Sequence, residues 1–225
     1  MQMEWASRRR LCKQDLRMLS EISAAIGQKD RYTQAHGHRV AAYAMRLARR
    51  LGLSKSEVRY VGLGGLFHDV GKLALSDHIL TNCDADLPSD LRQEVNCHPL
   101  IGAALLKDIA FLEPMVDFVL FHHEREDGSG YPFGLNEAEI PLGAKIISIA
   151  DCFDAVTTDR PYQKGQPVES AYAVLRQGCR SYFCESFVQS FIDEIEASGI
   201  IPDHAPDFTM ARELVLSVAA DCTRS

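Results

Sequence analysis

The chain has 225 residues, 46% of them hydrophobic and 24% charged, so it is long enough to bury a sizeable core and too apolar for a disordered segment. Its 24 basic and 31 acidic residues leave a net charge of −7 and a pI near 5.6, which argues against broad nonspecific binding to nucleic acid but not against a local basic pocket for a small phosphate ligand. The basic first residues lack an uninterrupted apolar stretch and a small-residue cleavage site, and no run approaches the roughly 18 apolar residues of a membrane span, so a cytoplasmic protein is expected.

Residues 5–28 place Leu11, Leu16, Leu19, Ile22 and Ile26 at roughly helical spacing between arginines and lysines, which predicts an opening helix. After the polar segment KDRYTQAHGHR a second helix is expected over 34–51, ended by Gly52. Ser54 and Glu57 have capping-box spacing at the start of a third helix. That helix runs through VGLGGLFHDVGK and gives out at adjacent His68 and Asp69, just before Gly71 and Lys72. Residues 75–88 read as a loop, with helices following over 89–95 and 100–107. Pro114 suits the first turn of the helix MVDFVLFHH, which ends in His122 and His123. Residues 124–139, rich in glycine and charge, form the main irregular segment. Pro141 then precedes the apolar helix LGAKIISIADCFDAVTT, which carries Asp151. Pro167 opens another helix through 175, a further one spans 185–198 and closes at Gly199, and Thr209 caps a last one to about residue 220. No stretch alternates as a strand does between hairpin turns. The expected fold is all-α, with about eight or nine helices of ordinary length. The seven cysteines form no CxxC pair and read as small core or half-buried residues in a reducing compartment.

Several ionisable residues flank the apolar runs: His36, His68, Asp69, His98, His122, His123 and Asp151. Any one of them alone is compatible with a core residue bonded to backbone. Gathered around one helical core, they would be costly unless paired or metal-bound. Imidazole and carboxylate suit first-row divalent ions such as iron, manganese, zinc, cobalt or nickel. This many ligands exceeds what one octahedral ion needs, so two ions are the economical reading, with Asp69 as the bridge. Two ions roughly 3.5 to 4 Å apart can hold a hydroxide and clamp a phosphate, which suits hydrolysis of a phosphodiester.

The motifs YTQAHGHRVAAYA from Tyr32, HDVGK from His68, HPLIG from His98, HHEREDGSGYP from His122, IPLGAKIISIADCFDAVTTDRPY from Ile140 and SYFCESFVQSF from Ser181 follow one another in order. In this set the chain resembles the HD-GYP family, a branch of the HD metal-dependent phosphohydrolases. The resemblance implies an HD-type helical domain around a metal centre that cleaves cyclic di-GMP, often attached to sensory or receiver domains. It implies one metal on His36, His68, Asp69 and Asp151, and a second on Asp69, His98, His122 and His123, with iron or manganese the metal by analogy. Some members carry a glutamate four residues before the first histidine and hold a third metal; Tyr32 stands there, so a binuclear site is expected. Catalysis is assigned to Asp69 and Lys72, and substrate binding to Lys72, Gly130, Tyr131, Pro132, Arg160 and Lys164. Lys72 can also be read as a lysine favoured by a helix C-terminus, and Tyr131 as a packed turn residue. The expected product is linear pGpG, with a second cut to GMP left open.

The chain departs from the family pattern outside the metal set. Gln163 stands where a second basic residue is common, with Lys164 as a compensating charge. LSD at 75–77 and Asn82, Cys83 and Asp84 replace the usual turn after the lysine, which implies a loop of different shape. His38 is expected at the surface, about 200 degrees around the helix from His36. The expected division is an amino-terminal helix at 1–28, packed on the core or forming a homodimer, a catalytic domain at 29–200, and a carboxy-terminal helix of the same domain at 201–225. The GYP loop is a candidate surface for partners such as diguanylate cyclases. Two rival functions stay open: a phosphohydrolase for another cyclic dinucleotide or nucleotide, and a cyclic di-GMP-binding module of low turnover.

Overall fold

The computed structural model describes residues 13–76, 88–160, 164–179 and 181–199. In chain order the helices are α1 (Lys13–Lys29), α2 (Arg31–Arg50), α3 (Lys55–Phe67), a 3-10 turn (Val70–Ala74), α4 (Ser89–Asn96), α5 (His98–Leu106), α6 (Glu113–Phe121), α7 (Leu142–Thr157), α8 (Val168–Gly178) and α9 (Glu185–Ser198). Among the described residues the only β pairings are isolated bridges, Asp127 with Asn136 and Cys179 with Phe183, so the domain is all-α. No helix among them is long and apolar enough to cross a membrane. The start of the expected first helix, residues 77–87 with Asp77 of LSD and Asn82 to Asp84, Gln163 and the expected helix after Thr209 lie outside the described residues, while Leu75 of LSD is buried at the end of the 3-10 turn.

Local chemistry accounts for the element ends. Asp30 caps α2 by accepting from the Tyr32 backbone N–H at 2.8 Å, and the helix starts at Arg31, three residues before the start expected from apolar spacing, because its first turn is polar. The capping box of α3 forms as expected: Ser54 N–H donates to Glu57 Oε2 at 2.7 Å, and Glu57 N–H to Ser54 Oγ at 3.3 Å. That helix stops at Phe67 with His68 as its C-cap, and Lys72 sits in the 3-10 turn instead of a continued helix. Helix α9 ends at Gly199, as expected.

Helix α7 runs through the middle of the domain and packs on α2, α3, α6, α8 and α9. Its residues Ile146, Ile147, Ile149, Ala150 and Phe153 are fully buried, and Phe153 meets Tyr43 and Phe191 edge-on at 5.1 Å. Burial of each such large side chain contributes about 1.5–3 kcal/mol. Two backbone approaches then bring separate helices to one point. A Cβ on Gly37 would lie 2.6 Å from the Leu66 carbonyl oxygen, so α2 and α3 touch main chain to main chain. A Cβ on Gly71 would lie 1.9 Å from the His98 carbonyl oxygen, so the turn after α3 rests directly on the start of α5.

Candidate metal centre

These approaches place ligand-type side chains from α2, α3, α5, α6 and α7 together. His36, His68 and Asp69 form one group and His98, His122 and His123 another, the members of each offering atoms within 4.8 Å of one another. Asp69 stands between the groups. Its Oδ2 is 3.8 Å from His36 Nε2 and 3.4 Å from His68 Nε2, while its Oδ1 is 3.3 Å from His98 Nε2. Asp151 joins the first group, with Oδ1 3.0 Å from His36 Nε2 and 3.9 Å from His68 Nε2.

Each buried imidazole is oriented from behind. His68 Nδ1 donates to the Gly65 carbonyl at 2.8 Å, His98 Nδ1 to Val95 at 2.7 Å and His122 Nδ1 to Val119 at 2.7 Å. A carbonyl only accepts, so in the neutral ring the proton sits on Nδ1 and the Nε2 lone pair faces the centre. His36 Nδ1 instead donates to Asp154 Oδ2 at 2.7 Å. The fully buried Asp154 is held in turn by Arg39 Nε at 2.6 Å and Nη2 at 3.0 Å.

The donor set fits divalent ions. The Nε2 atoms of His98 and His122 face each other at 3.4 Å, and with both Nδ1 protons already committed this is an approach of two lone pairs. His68 Nε2 and Asp69 Oδ1 are buried without a hydrogen-bond partner. Such a cluster of inward acceptors lacking donors is costly alone and is satisfied by cations. Two clustered His/Asp sites able to hold metal ions, matching a binuclear centre, are therefore present.

Electrostatics divide the groups. Burial holds His98 down at about 4 and His123 at about 3, and pushes His122 well below the ordinary range with help from His123, so this triad is neutral. Burial also works against charge on His36, but hydrogen bonds to Asp151 and Asp154 lift it to about 9. Burial raises Asp69, yet Lys72 and His68 outweigh it and hold the carboxyl well below its usual range. Asp151 is lowered against its burial mainly by His36.

The remaining expected residues are distributed around this centre. Lys72 Nζ lies 2.6 Å from Asp69 Oδ2. Tyr131 stacks on His123 with ring centroids 4.7 Å apart, which joins the GYP loop to the second group. Gly130 acts through close approach: a Cβ there would stand 2.5 Å from Glu124 Cα and Arg125 N. Pro132 is half-buried beside Tyr131. Arg160 is exposed, and its charge is felt at Tyr32 and Lys72. Lys164 is exposed in the segment that leads to α8. Tyr32 lies nearly parallel to His36, at 6° with ring centroids 6.1 Å apart. His38 is half-buried, not at the surface, and burial lowers its pKa.

Two residues not singled out from sequence shape the site. Asp154 lies three positions after Asp151 on one helix, a spacing that puts both on the same face and is a readable signal. Glu124 is buried and accepts the N–H groups of Phe133 at 2.7 Å and Leu135 at 2.9 Å, so it folds the GYP loop back toward the centre. Its place in an irregular segment gives no periodic signal. A cleft of about 550 Å³ opens beside the centre, lined by His123, Tyr131, Asp151, Gln177 and Tyr182 among others.

A family model described as HD domain matches residues 13–185. The cyclic di-GMP phosphodiesterase PA4108 of Pseudomonas aeruginosa is 41% identical over 175 residues, which cover 77% of this chain and 41% of that protein. The 3'3'-cGAMP-specific phosphodiesterase 3 of Vibrio cholerae is 34% identical over 164 residues, covering 71% of this chain and 35% of that protein. Among solved structures, Bd1817, an HDG"Y"P protein from Bdellovibrio bacteriovorus, superposes with a TM-score of 0.61 at 26% identity, covering 73% of this chain and 52% of the other. The chain spans less than half the length of these curated relatives.

Proposed function

The chain belongs to the HD-domain family, in its HD-GYP-like branch of phosphohydrolases, and from that premise we propose that it is a cyclic-dinucleotide phosphodiesterase with cyclic di-GMP as substrate. The observation that carries this reading is Asp69, a buried carboxylate with one oxygen toward His36 and His68 and the other toward His98. In the proposal His36, His68, Asp69 and Asp151 hold one divalent ion, and Asp69, His98, His122 and His123 hold the other. Bound iron or manganese supplies Lewis acidity at the phosphoryl oxygens and activates water at neutral pH.

The chain's own residues supply the remainder. Lys72 keeps its proton because the charge of Asp69 outweighs burial. Its ammonium offsets negative charge that develops on the phosphoryl group. Tyr131, fixed against His123, presents its ring and hydroxyl to the substrate from the GYP loop. Gly130 and Pro132 set the loop's path. Arg160 offers a planar fork to a phosphate or guanine, with Lys164 a further cation nearby in sequence. Hydrolysis adds water across one P–O3′ bond: the water oxygen bonds phosphorus, the 3′ oxygen leaves with a proton, and the first product is linear pGpG. Whether a second cut carries pGpG on to GMP is read from the products of turnover.

Metal content and cyclic di-GMP turnover, measured on one anaerobically purified sample reconstituted with iron or manganese, test this. About two metals per chain are expected, with pGpG or GMP formed by the intact chain and lost in His68→Ala and Asp69→Ala. Metal-loaded protein that binds cyclic di-GMP without cutting it would overturn the enzymatic reading in favour of a binding module. The Vibrio relative supports a second reading, hydrolysis of 3'3'-cGAMP. A higher kcat/KM for that substrate than for cyclic di-GMP would select it.

A further inference from the structure

The cleft beside the metal centre continues well past the residues assigned to metal, phosphate and GYP-loop roles. Arg125, in the irregular segment before the GYP residues, and Ser181 to Phe183, in the connection from α8 to α9, also line it. They are tied together twice. Asp127 N–H donates to the Ser181 carbonyl at 2.9 Å, and the Arg125 guanidinium lies over the Tyr182 ring, 4.0 Å from its centroid. An arginine held face-on against a tyrosine makes a flat, cationic, aromatic wall. Tyr182 remains 41% exposed there, so part of its ring is accessible to a ligand in the cleft. Gln177 reaches the same cleft from α8 with an amide that both donates and accepts, and Ser148 and Ser181 add hydroxyls.

We propose that this cleft is a base subsite: it takes one purine of the cyclic dinucleotide, stacked on the Arg125–Tyr182 wall and read along its edge by Gln177. The inference rests on the cyclic-dinucleotide reading above. Size agrees, because a volume of about 550 Å³ falls in the range that encloses a small-molecule ligand and exceeds what a phosphate alone would fill. Chemistry agrees as well. A purine has a π face for the wall and an edge with both donor and acceptor atoms for an amide. Position agrees third: Asp151 and His123, assigned as metal ligands, line the same cleft as Tyr182 and Gln177, so a base held there brings its attached phosphodiester toward the metal ligands. Arg160 lies outside this cleft's lining, which leaves it free to serve the second half of the molecule.

The test compares kcat/KM for cyclic di-GMP with kcat/KM for bis(p-nitrophenyl) phosphate, a phosphodiester without a base, on the metal-loaded full chain. Tyr182→Ala and Gln177→Ala should each lower the ratio of the two about tenfold, the size expected for loss of one stacking or edge contact. Tyr182→Phe, which keeps the ring, should restore the ratio. Both positions border solvent, and circular dichroism checks that the variants fold. An unchanged ratio, whether both activities fall together or neither falls, overturns the subsite. Wild-type protein that cleaves the nitrophenyl ester but no cyclic dinucleotide brings down the proposed function itself, a result separable from failure of the subsite alone.

Discussion

His68, His98 and His122 share one local device: each is bonded through Nδ1 to the carbonyl three residues earlier, at the end of a helical turn. The chain end of a helix leaves such carbonyls without partners, so the imidazole satisfies the backbone while its other nitrogen turns inward. His36 sits in mid-helix, where no carbonyl is spare, and needs Asp154 instead. Asp154→Ala should therefore weaken metal binding in the His36 group by about 10–100-fold, the usual effect of losing an orienting partner. The three-histidine group should keep its ion. Metal titration followed by mass spectrometry of the bound stoichiometry checks this, and two ions at wild-type affinity would contradict it. The variant should also lose stability, because Arg39, whose side chain is 11% exposed, is left without its carboxylate.

At the scale of elements, the meeting of helices depends on glycine where backbone meets backbone. Gly71→Ala would drive a methyl group into the His98 carbonyl, a main-chain atom that cannot rotate away. The substitution should cost about 1–3 kcal/mol and lower Tm by several degrees. It should also separate Asp69 from His98 and so reduce metal content. Thermal unfolding and metal analysis of the same preparation decide the matter; an unchanged Tm would mean that the 3-10 turn moves freely against α5. Helix ends were legible where capping chemistry was written in adjacent residues, as at Ser54 and Glu57. They were less legible at Asp30, whose helix begins with a turn that buries little, and at Phe67, where the run gives way to a 3-10 turn that only packing against α5 requires.

For the molecule as a whole, charge in the centre gives the metal-free protein a stability that peaks near neutral pH. His98 and His123, held at about 4 and about 3 against an ordinary 6.5, refuse protons that the unfolded chain accepts. Their contribution is therefore lost as pH falls below 6.5 toward those values. Asp69 and Asp151, both lowered, add to the loss below their ordinary 3.8. His36 acts in the opposite sense: raised from 6.5 to about 9, it contributes fully below 6.5, and that contribution is lost as pH rises through 9. Tm of chelator-treated protein should accordingly decline on both sides of about pH 6.5. A Tm that climbs steadily from pH 6.5 to 9 would contradict the His36 assignment. Saturating metal should raise Tm at neutral pH, since a ligand bound only by the folded state stabilises it.

The sequence by itself determined the helical class, most helix positions and the identity of the ligand-type residues. Apolar periodicity, capping chemistry and ordered motifs are properties of neighbouring residues, so they are readable along the chain. Tertiary structure alone decided that Asp69 turns one oxygen to each imidazole group, that Asp154 and Arg39 stand behind His36, and that Glu124 folds the GYP loop. It also decided that Arg125 and Tyr182 meet in one wall of the cleft. Pairs such as His36 with Asp154 and Asp69 with His98 join residues far apart in sequence; the first depends on α2 packing on α7, and the second on the close approach of Gly71 to the start of α5. No local pattern encodes that packing, because it depends on which helical faces find one another in three dimensions.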